Sequence, residues 1–167
     1  MRSFLKSAIA CFAVILSCGT TSAAESKVAL SDVPPAGVEA VKAMFPAAEV
    51  TGAAKETENG KTFFEVTLKQ KGRTIDVTVG LDGKIQLIER EISDKDLPQA
   101  VSQAIAAKYP QAIYKIVEQV DTVKDGQSTL DFFEALLETT DKKQLEVQVS
   151  PDGKIKKEEA KAPADTD

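Results

Sequence analysis

Apolar residues recur at helical spacing in two stretches of the chain, and each stretch ends at an aromatic residue followed by proline. In the second stretch, one apolar stripe consists of Leu97, Val101, Ala104, Ile105 and Tyr109. Pro98 falls in the first turn, where its missing N–H costs nothing, and Asp94 or Asp96 is the expected cap. Pro110 prevents continuation. The pattern predicts a short amphipathic helix that covers one face of a sheet.

The first stretch repeats this pattern less regularly, with Ser31 or Asp32 as the expected cap. Its stripe consists of Val33, Val41, Met44 and Phe45. Gly37 stands where the second helix has Val101, and a glycine inside a helix costs roughly 1 kcal/mol. We expect Val38 to take over the packing role of that position.

After each helix, apolar and polar residues alternate with period two, which predicts strands with one buried face. In the first copy the inward residues are Phe64, Val66, Leu68, Ile75, Val77 and Val79. In the second copy they are Phe133, Ala135, Leu137, Leu145, Val147 and Val149. A less regular strand is expected directly after each helix, at 49–57 and 113–123.

Short turn sequences separate these strands. Asp82-Gly83 and Asp152-Gly153 are expected to form type I′ turns, because both residues of each pair tolerate positive φ. Further tight connections are expected at Lys71-Gly72, Asp141-Lys142, Asn59-Gly60 and Asp125-Gly126.

The two copies carry these features in the same order. The offset between matched residues is 64 from Pro34 to Pro98, and it is 70 from Gly83 to Gly153. The insertions therefore fall in loops, which accept them at little cost. The sequence predicts an α+β fold of tandem repeats, 31–92 and 93–157, each a helix plus a four-stranded antiparallel sheet.

The first 24 residues have the features of an export signal. Arg2 and Lys6 precede an apolar segment, 8–16, that is too short to span a bilayer comfortably. Small residues at 22–24 follow at cleavage spacing. We therefore expect a signal peptide at 1–24 and a mature chain that begins near Glu25.

Cys18 marks a second possible cleavage site, which competes with the one after residue 24. The segment Ile15-Leu16-Ser17-Cys18 resembles a bacterial lipobox, in which the cysteine is lipidated and becomes the new N-terminus. The sequence thus leaves two destinations open, namely a periplasmic or secreted protein and a lipoprotein anchored through Cys18.

The acidic charge balance limits the classes of partner. The chain has 21 basic and 26 acidic residues, and removing Arg2 and Lys6 leaves 19 against 26, a net charge of −7. Nucleic acids and anionic membrane surfaces are therefore not expected as partners. The charged segment from Lys156 onward is expected to be disordered, with 158–167 as an acidic tail.

The residue types that most enzymes need are missing. The chain has no histidine, and its two cysteines, Cys11 and Cys18, both lie in the leader. The usual nucleophile–base pairs, thiolate metal sites and Gly-rich phosphate loops are therefore not expected. The Asp-Gly pairs lack the regular oxygen ligands of a calcium loop and are interpreted as turns. The sequence predicts no catalysis, no cofactor and no metal site.

The order of these elements carries a family resemblance. Leu97-Pro98, a short helix, Tyr109-Pro110, an aromatic–Glu pair in a strand and a closing Asp-Gly hairpin resemble the PepSY-like modules of bacterial envelope proteins. These modules are similar in fold to the beta-lactamase-inhibitory proteins. The resemblance covers roughly residues 31–157. It implies an exported binding or inhibitory module with an open sheet face.

The outward face of the expected sheet holds the candidate contact residues. If Phe64 and Phe133 point at the helices, then Phe63 and Phe132 lie on the opposite face in both copies. One interpretation is that they pack against each other or the neighbouring repeat. The other is a solvent-exposed contact patch with an aromatic centre and a polar rim of Glu65, Glu134, Asp76 and Lys69.

The leading functional hypothesis is a non-enzymatic envelope protein that binds a protein or peptide through this face. The alternative is a periplasmic sensor of a small ligand or cation, which rests on the acidic charge and the expected export.

Overall fold

The computed structural model describes residues 24–58 and 60–161. Within these residues the chain forms two α-helices and nine β-strands. The helices are α1 (Pro35–Met44) and α2 (Gln99–Lys108). The strands are β1 (Ala24–Lys27), β2 (Glu49–Glu58), β3 (Lys61–Gln70), β4 (Arg73–Gly80), β5 (Ile85–Glu91), β6 (Ile113–Lys124), β7 (Gln127–Glu138), β8 (Gln144–Val149) and β9 (Ile155–Lys161).

The nine strands are hydrogen-bonded in chain order, from β1 to β9, in one sheet. Short connections between sequential neighbours make such a sheet antiparallel. The described residues divide into two compact units: unit 1 holds 24–58, 60–70 and 76–86, and unit 2 holds 71–75 and 87–161. The α+β class is as predicted. The expected pair of four-stranded sheets does not describe this sheet, because β1 is an added strand and β5 pairs with β6.

Both helices begin later than the predicted caps. Asp94 and Asp96 lie in a 3-10 turn that precedes α2, where Ser93 Oγ accepts a hydrogen bond from the Lys95 N–H at 3.3 Å. The residue before a proline avoids helical backbone angles, and Leu97 is extended before Pro98. The predicted capping of α2 by Asp94 or Asp96 is therefore wrong.

The same error occurs in the first copy. Ser31 and Asp32 lie in the 3-10 turn Leu30–Asp32, and the carboxylate of Asp32 accepts a hydrogen bond from the Ala29 N–H at 3.0 Å. Val33 is extended before Pro34, which is the N-cap of α1. Neither predicted residue caps α1.

The core of unit 2 lies between α2 and one face of β6, β7 and β8. Its buried members are Leu97, Val101, Ile105, Val117, Phe133, Ala135, Leu137, Val147 and Val149. The register places Phe133 opposite Val149 and Ala135 opposite Val147, so the inward residues form adjacent cross-strand pairs. The predicted alternation of these strands is confirmed.

Unit 1 buries the corresponding apolar residues. They include Val33, Val41, Phe45, Phe64, Val66, Leu68, Val77 and Val79. Met44 is 37% exposed, so its predicted place on the buried stripe is wrong. It is the last residue of α1, where the chain turns away toward β2.

Gly37 is itself buried in α1, and Val38 does not take over its packing role. A Cβ at Gly37 would lie 2.3 Å from Cγ1 of Val79, so the side chain of Val79 occupies the space that a larger helix residue would need. Gly37 thus permits a close approach of α1 to the sheet. The expectation that Val38 substitutes for it is wrong, and Val38 is only half-buried.

The two Asp-Gly turns have three-residue loops instead of the predicted type I′ geometry. The Ser150 N–H donates to the Lys154 carbonyl at 2.9 Å and the Gly153 N–H donates to the Ser150 carbonyl at 2.8 Å. Gly153 has φ +89°, whereas Asp152 is not among the residues with positive φ. This is the pattern of a turn closed by one left-handed residue.

The glycines of these turns contact the first turn of each helix. A Cβ at Gly153 would lie 2.7 Å from the carbonyl oxygen of Ala100 in α2. A Cβ at Gly83 would lie 3.0 Å from Cβ of Ala36 and 3.1 Å from the backbone nitrogen of Gly37 in α1. Each turn therefore packs against its helix closely enough to require glycine.

The C-terminal segment is more ordered than predicted. β9 continues to Lys161 and pairs with β8 along its length, so residues 158–161 are strand and not the start of a disordered tail. Main-chain hydrogen bonds to β8 stabilise this charged sequence as a strand despite its low hydrophobicity. The rest of the expected tail, 162–167, and the expected leader, apart from Ala24, lie outside the described residues.

Candidate binding face

In unit 2 the sheet has one face under α2 and an opposite face, here called the second face. Three cross-strand rows of the second face run from β6 to β9. They are Ile113, Glu138, Gln144, Lys161; Ile116, Leu136, Glu146, Glu159; and Glu118, Glu134, Gln148, Lys157. The apolar residues of these rows are on β6 and β7, β8 contributes two glutamines and one glutamate, and β9 contributes two lysines and one glutamate.

A β-bulge in β6 places two isoleucines on this face. The register shifts between Tyr114 and Ile116, so Lys115 is the extra residue, and Ile113 and Ile116 both face away from the core although they are three residues apart. Ile113 is 53% exposed and Ile116 is 39% exposed. Ile116 pairs with the half-buried Leu136. These three residues form the isoleucine patch.

Two buried carboxyl groups lie beside the isoleucine patch. Glu134 and Glu146 are each 2% exposed. Oε2 of Glu134 accepts a hydrogen bond from Nε2 of Gln148 at 3.0 Å, and Oε2 of Glu146 lies 3.0 Å from the Lys161 ammonium. The Oε1 atom of each is buried and receives no hydrogen bond. We call Glu134 and Glu146 the carboxyl pair.

The environment of the carboxyl pair favours the protonated form. Burial raises the pKa of Glu134 to about 9, and the nearby charges of Glu146 and Glu118 add to the effect. The hydrogen bond from Gln148 lowers it by a smaller amount. Burial also raises the pKa of Glu146, although its ion pair with Lys161 opposes this. At neutral pH Glu134 therefore holds a proton.

The predicted contact residue Phe132 lies on the second face but is not exposed. It pairs with Val120 and is 3% exposed. The Lys156 ammonium lies 5.2 Å from the centroid of the Phe132 ring and 2.6 Å from Oδ1 of Asp131, so a lysine held by an ion pair lies over the ring. Of the two interpretations of Phe132, the solvent-exposed one is therefore wrong.

The predicted contact residue Phe63 is also buried, at 9% exposure. It pairs with Glu56, whereas Phe64 pairs with Lys55, so the two phenylalanines lie on opposite faces as predicted. The predicted rim residues differ in burial: Asp76 is buried, while Glu65 and Lys69 are half-buried. A role of these residues in partner contact stays a prediction.

A second polar cluster of unit 2 lies on the opposite side of the sheet, because Gln119 pairs with the core residue Phe133. Asp121 accepts hydrogen bonds from Gln119, Ser128 and Arg90, the last at 2.5 Å. Burial raises the pKa of Asp121, but these donors lower it further than burial raises it. Both carboxylate oxygens have donors, which is typical of a structural cluster.

The sequence interpretation missed the isoleucine patch, the Gln148 partner of Glu134 and the three lysines of β9, Lys156, Lys157 and Lys161. One signal was available, because Ile113 and Ile116 break the period-two alternation and so indicate a bulge. The β9 lysines could not be placed, since their segment was expected to be disordered.

Among residues 24–58 and 60–161, no three His, Cys, Asp or Glu side chains form a group that could hold a metal ion. In the same part of the chain, neither helix is long and apolar enough to cross a membrane.

The fold is shared with several proteins of known structure. A DUF2874 family protein from Bacteroides uniformis superimposes with a TM-score of 0.61 at 19% identity, over 76% of this chain and 88% of that one. A structure described as "putative periplasmic proteins" from Bacteroides eggerthii gives 0.62 at 17% identity, over 77% and 88%. A BLIP-like protein from Bacteroides fragilis gives 0.57 at 21% identity, over 80% and 92%.

At these identities the likeness establishes the fold, which is therefore that of the BLIP-like and DUF2874 proteins. No protein-family model matches the chain, and no curated protein matches it either.

Proposed function

We propose that the chain is an exported bacterial envelope protein that binds a protein or peptide partner through the second face of its sheet, without catalysing a reaction. Inhibition of an enzyme partner is one form that such binding takes. The export signal expected at 1–24 supports the envelope location, and the periplasmic description of the Bacteroides eggerthii protein of the same fold agrees with it.

The observation that carries this proposal is the isoleucine patch. Ile113 and Ile116 are exposed on a sheet face that α2 does not cover, and Leu136 extends the apolar surface beside them. Charged side chains, including the Lys115–Glu138 ion pair at 2.9 Å, border the patch. An apolar centre with a polar rim is the usual composition of a protein-binding surface.

The absence of histidine from the chain, and of cysteine after the expected leader, supports a non-enzymatic role. Covalent nucleophiles and general bases most often use these residues. Turnover of a substrate by the purified protein, abolished by a single side-chain substitution, would contradict this part of the proposal.

Capture experiments test the binding role. The whole protein is immobilised, exposed to envelope extract, and compared with a variant carrying Ile113→Ser and Ile116→Ser. We expect the variant to lose the captured partner and to keep its thermal unfolding midpoint, because both side chains are already exposed. Leu81→Ser is the matched control, since Leu81 is 65% exposed in a loop of unit 1. Equal capture by all three proteins would refute binding at the patch.

The second candidate function is a sensor of a cation or small ligand, and the buried carboxyl pair is the observation that favours it. Calorimetric titration with calcium and magnesium at millimolar concentration tests this role. Stoichiometric heat that disappears in Glu134→Gln would support it, and the absence of heat would exclude those two ions.

A further inference from the structure

The second face carries more acidic than basic residues. Across β5 to β9 it holds seven glutamates, with Asp131 at the bulge of β7, against five lysines. The glutamates are Glu89, Glu91, Glu118, Glu134, Glu138, Glu146 and Glu159, and the lysines are Lys115, Lys124, Lys156, Lys157 and Lys161. Lys115, Lys156, Lys157 and Lys161 form ion pairs with acidic residues of this face. The acidic excess is complementary to a basic partner.

The carboxyl pair supplies an independent indication of a missing hydrogen-bond partner. Oε1 of Glu134 and Oε1 of Glu146 are buried without a partner, whereas Oε2 of Glu134 accepts from Gln148 and Oε2 of Glu146 pairs with Lys161. Buried polar atoms without a partner are rare. When Glu134 is ionised, both of its oxygens can only accept hydrogen bonds, so a cation that displaces its proton would supply the missing donor.

The carboxyl pair and the isoleucine patch are neighbours in the register. Leu136 lies directly between Ile116 on β6 and Glu146 on β8. Glu118, which is half-buried, lies opposite Glu134 in the next row. Residues in adjacent rows of one face are roughly 7 Å apart, so one short peptide segment spans both features.

We propose that the second face of unit 2 binds an extended basic segment of the partner, with an apolar side chain on the isoleucine patch and a neighbouring lysine or arginine donating to the carboxyl pair. This inference rests on the proposed function and specifies the chemistry of the partner. Alternation along an extended segment presents apolar and basic side chains to one face two residues apart, which matches the spacing of the rows.

Binding of the cation is coupled to release of a proton. The groups that face Glu134 are Glu118 on β6, Glu146 and Gln148 on β8, and Lys161 on β9. Because the pKa of Glu134 is raised to about 9, a cation must displace its proton at neutral pH. Affinity for a basic segment therefore increases with pH below 9, by up to about tenfold per pH unit.

Peptide titrations followed by NMR test the inference with a defined probe. The probe is the acetylated, amidated peptide Ile-Thr-Lys-Thr-Arg, in which isoleucine, lysine and arginine share one face of the extended chain, and the control replaces its lysine with norleucine and its arginine with citrulline. The side-chain amide of Gln148 reports on the carboxyl pair, and that of Gln119 reports on the opposite side of the sheet. We expect the basic peptide to shift Gln148 but not Gln119, and to bind at least about tenfold more tightly than the control.

Two variants separate the carboxyl pair from acidic charge elsewhere on β7. Glu134→Gln with Glu146→Gln should weaken the basic peptide at least about fivefold and remove the increase of affinity between pH 6.5 and 8.5. Asp131→Asn is the matched control, because it neutralises a carboxylate of β7 outside the pair and should leave the affinity within about twofold. Amide spectra of each variant establish that it is folded before titration.

Equal affinity for the basic and neutral peptides, a shift of Gln119 without Gln148, or unchanged binding by the double glutamine variant would each overturn the inference. Failure of the proposed function is a separate result. If the isoleucine variant loses the envelope partner while the glutamine variant keeps it, binding at the patch stands and the basic segment is wrong. If both variants keep the partner, both proposals are wrong.

Discussion

Unit 1 and unit 2 use the same helix and Asp-Gly hairpin but differ in what separates the helix from the sheet. In unit 2 the fully buried Val101 of α2 packs in the same core as Val149 of the sheet. In unit 1 the matching helix position is Gly37, and a Cβ there would lie 2.3 Å from Cγ1 of Val79, the counterpart of Val149. The volume missing at Gly37 is therefore compensated by a close approach of the α1 backbone and not by a larger residue on the sheet.

The two units also differ in where they expose large apolar side chains. In unit 2 the bulge at Lys115 exposes two isoleucines beside the carboxyl pair. Among the described residues of unit 1, the exposed large apolar side chains are Met44 and Leu81, which lie at a helix end and in a loop. This difference is the reason for which the proposed binding surface is placed in unit 2.

The largest expected loss of unfolding free energy comes from a comparison of a buried and an exposed residue on the second face of unit 2. Phe132→Ser should destabilise the protein by about 4 kcal/mol, because it removes a buried ring. Ile116→Ser should cost less than about 1 kcal/mol, because Ile116 is partly exposed. Urea denaturation measures both changes. Comparable losses for the two variants would mean that Ile116 belongs to the core.

Exchanging the helix residues of the two units should cost about 3 kcal/mol in each direction. Gly37→Val introduces a clash with Val79, and Val101→Gly leaves a cavity and adds the glycine penalty. Adding Val79→Ala to Gly37→Val should recover part of the loss, which a double-mutant cycle quantifies. If the two changes prove additive, the contact between positions 37 and 79 does not limit the packing of α1.

Glu134 should make the stability of the protein decrease with rising pH. Its pKa is about 9 when folded and near 4.5 when unfolded, so the stabilisation is complete below pH 4.5 and is lost as the pH rises to 9. We expect Glu134→Gln to flatten this decrease and to stabilise the protein at pH 8 by about 2 kcal/mol. Urea denaturation at pH 5 and pH 8 measures the difference.

Glu65→Gln is the matched change in unit 1, and at a half-buried position it should alter the free energy of unfolding by less than about 1 kcal/mol. A wild-type stability that does not change between pH 5 and pH 8 would contradict the protonation of Glu134.

The smallest effects distinguish turn glycines that contact a helix from those that do not. Gly153→Ala should cost about 2 kcal/mol, since it combines left-handed strain with a clash at Ala100. Gly126→Ala should cost about 1 kcal/mol, because a Cβ there meets nothing within 4 Å. Thermal unfolding of both variants measures the difference, and equal losses would mean that the turn does not press on α2.

Lys142 allows the opposite substitution, in which a glycine is introduced at a turn position with positive φ. It has φ +65° in a three-residue loop of unit 2, a position that favours glycine. Lys142→Gly should therefore stabilise the protein by up to about 1 kcal/mol in the same unfolding measurement. A loss of stability would show that the lysine contributes more through its ion pair with Glu138 than it costs in backbone strain.

Much of the fold could be predicted because its signals are local. The 3.6-residue and two-residue periods place α2 and the inward faces of β7 and β8 without reference to the rest of the chain. Helix starts were misplaced because Pro34 and Pro98 restrict the residues before them, which separates the capping turns from the helices. The Asp-Gly turns were given the wrong type because the contact of Gly153 with α2 is not local.

The sequence by itself determined the α+β class, the duplicated order of elements and the face on which each phenylalanine lies, because these depend on periods within one segment. The tertiary structure decided which residues of the second face are exposed. Lys156 covers Phe132, a bulge exposes Ile116, and pairing with β8 orders β9. Exposure depends on what distant segments place over a side chain, so it could not be obtained from alternation alone.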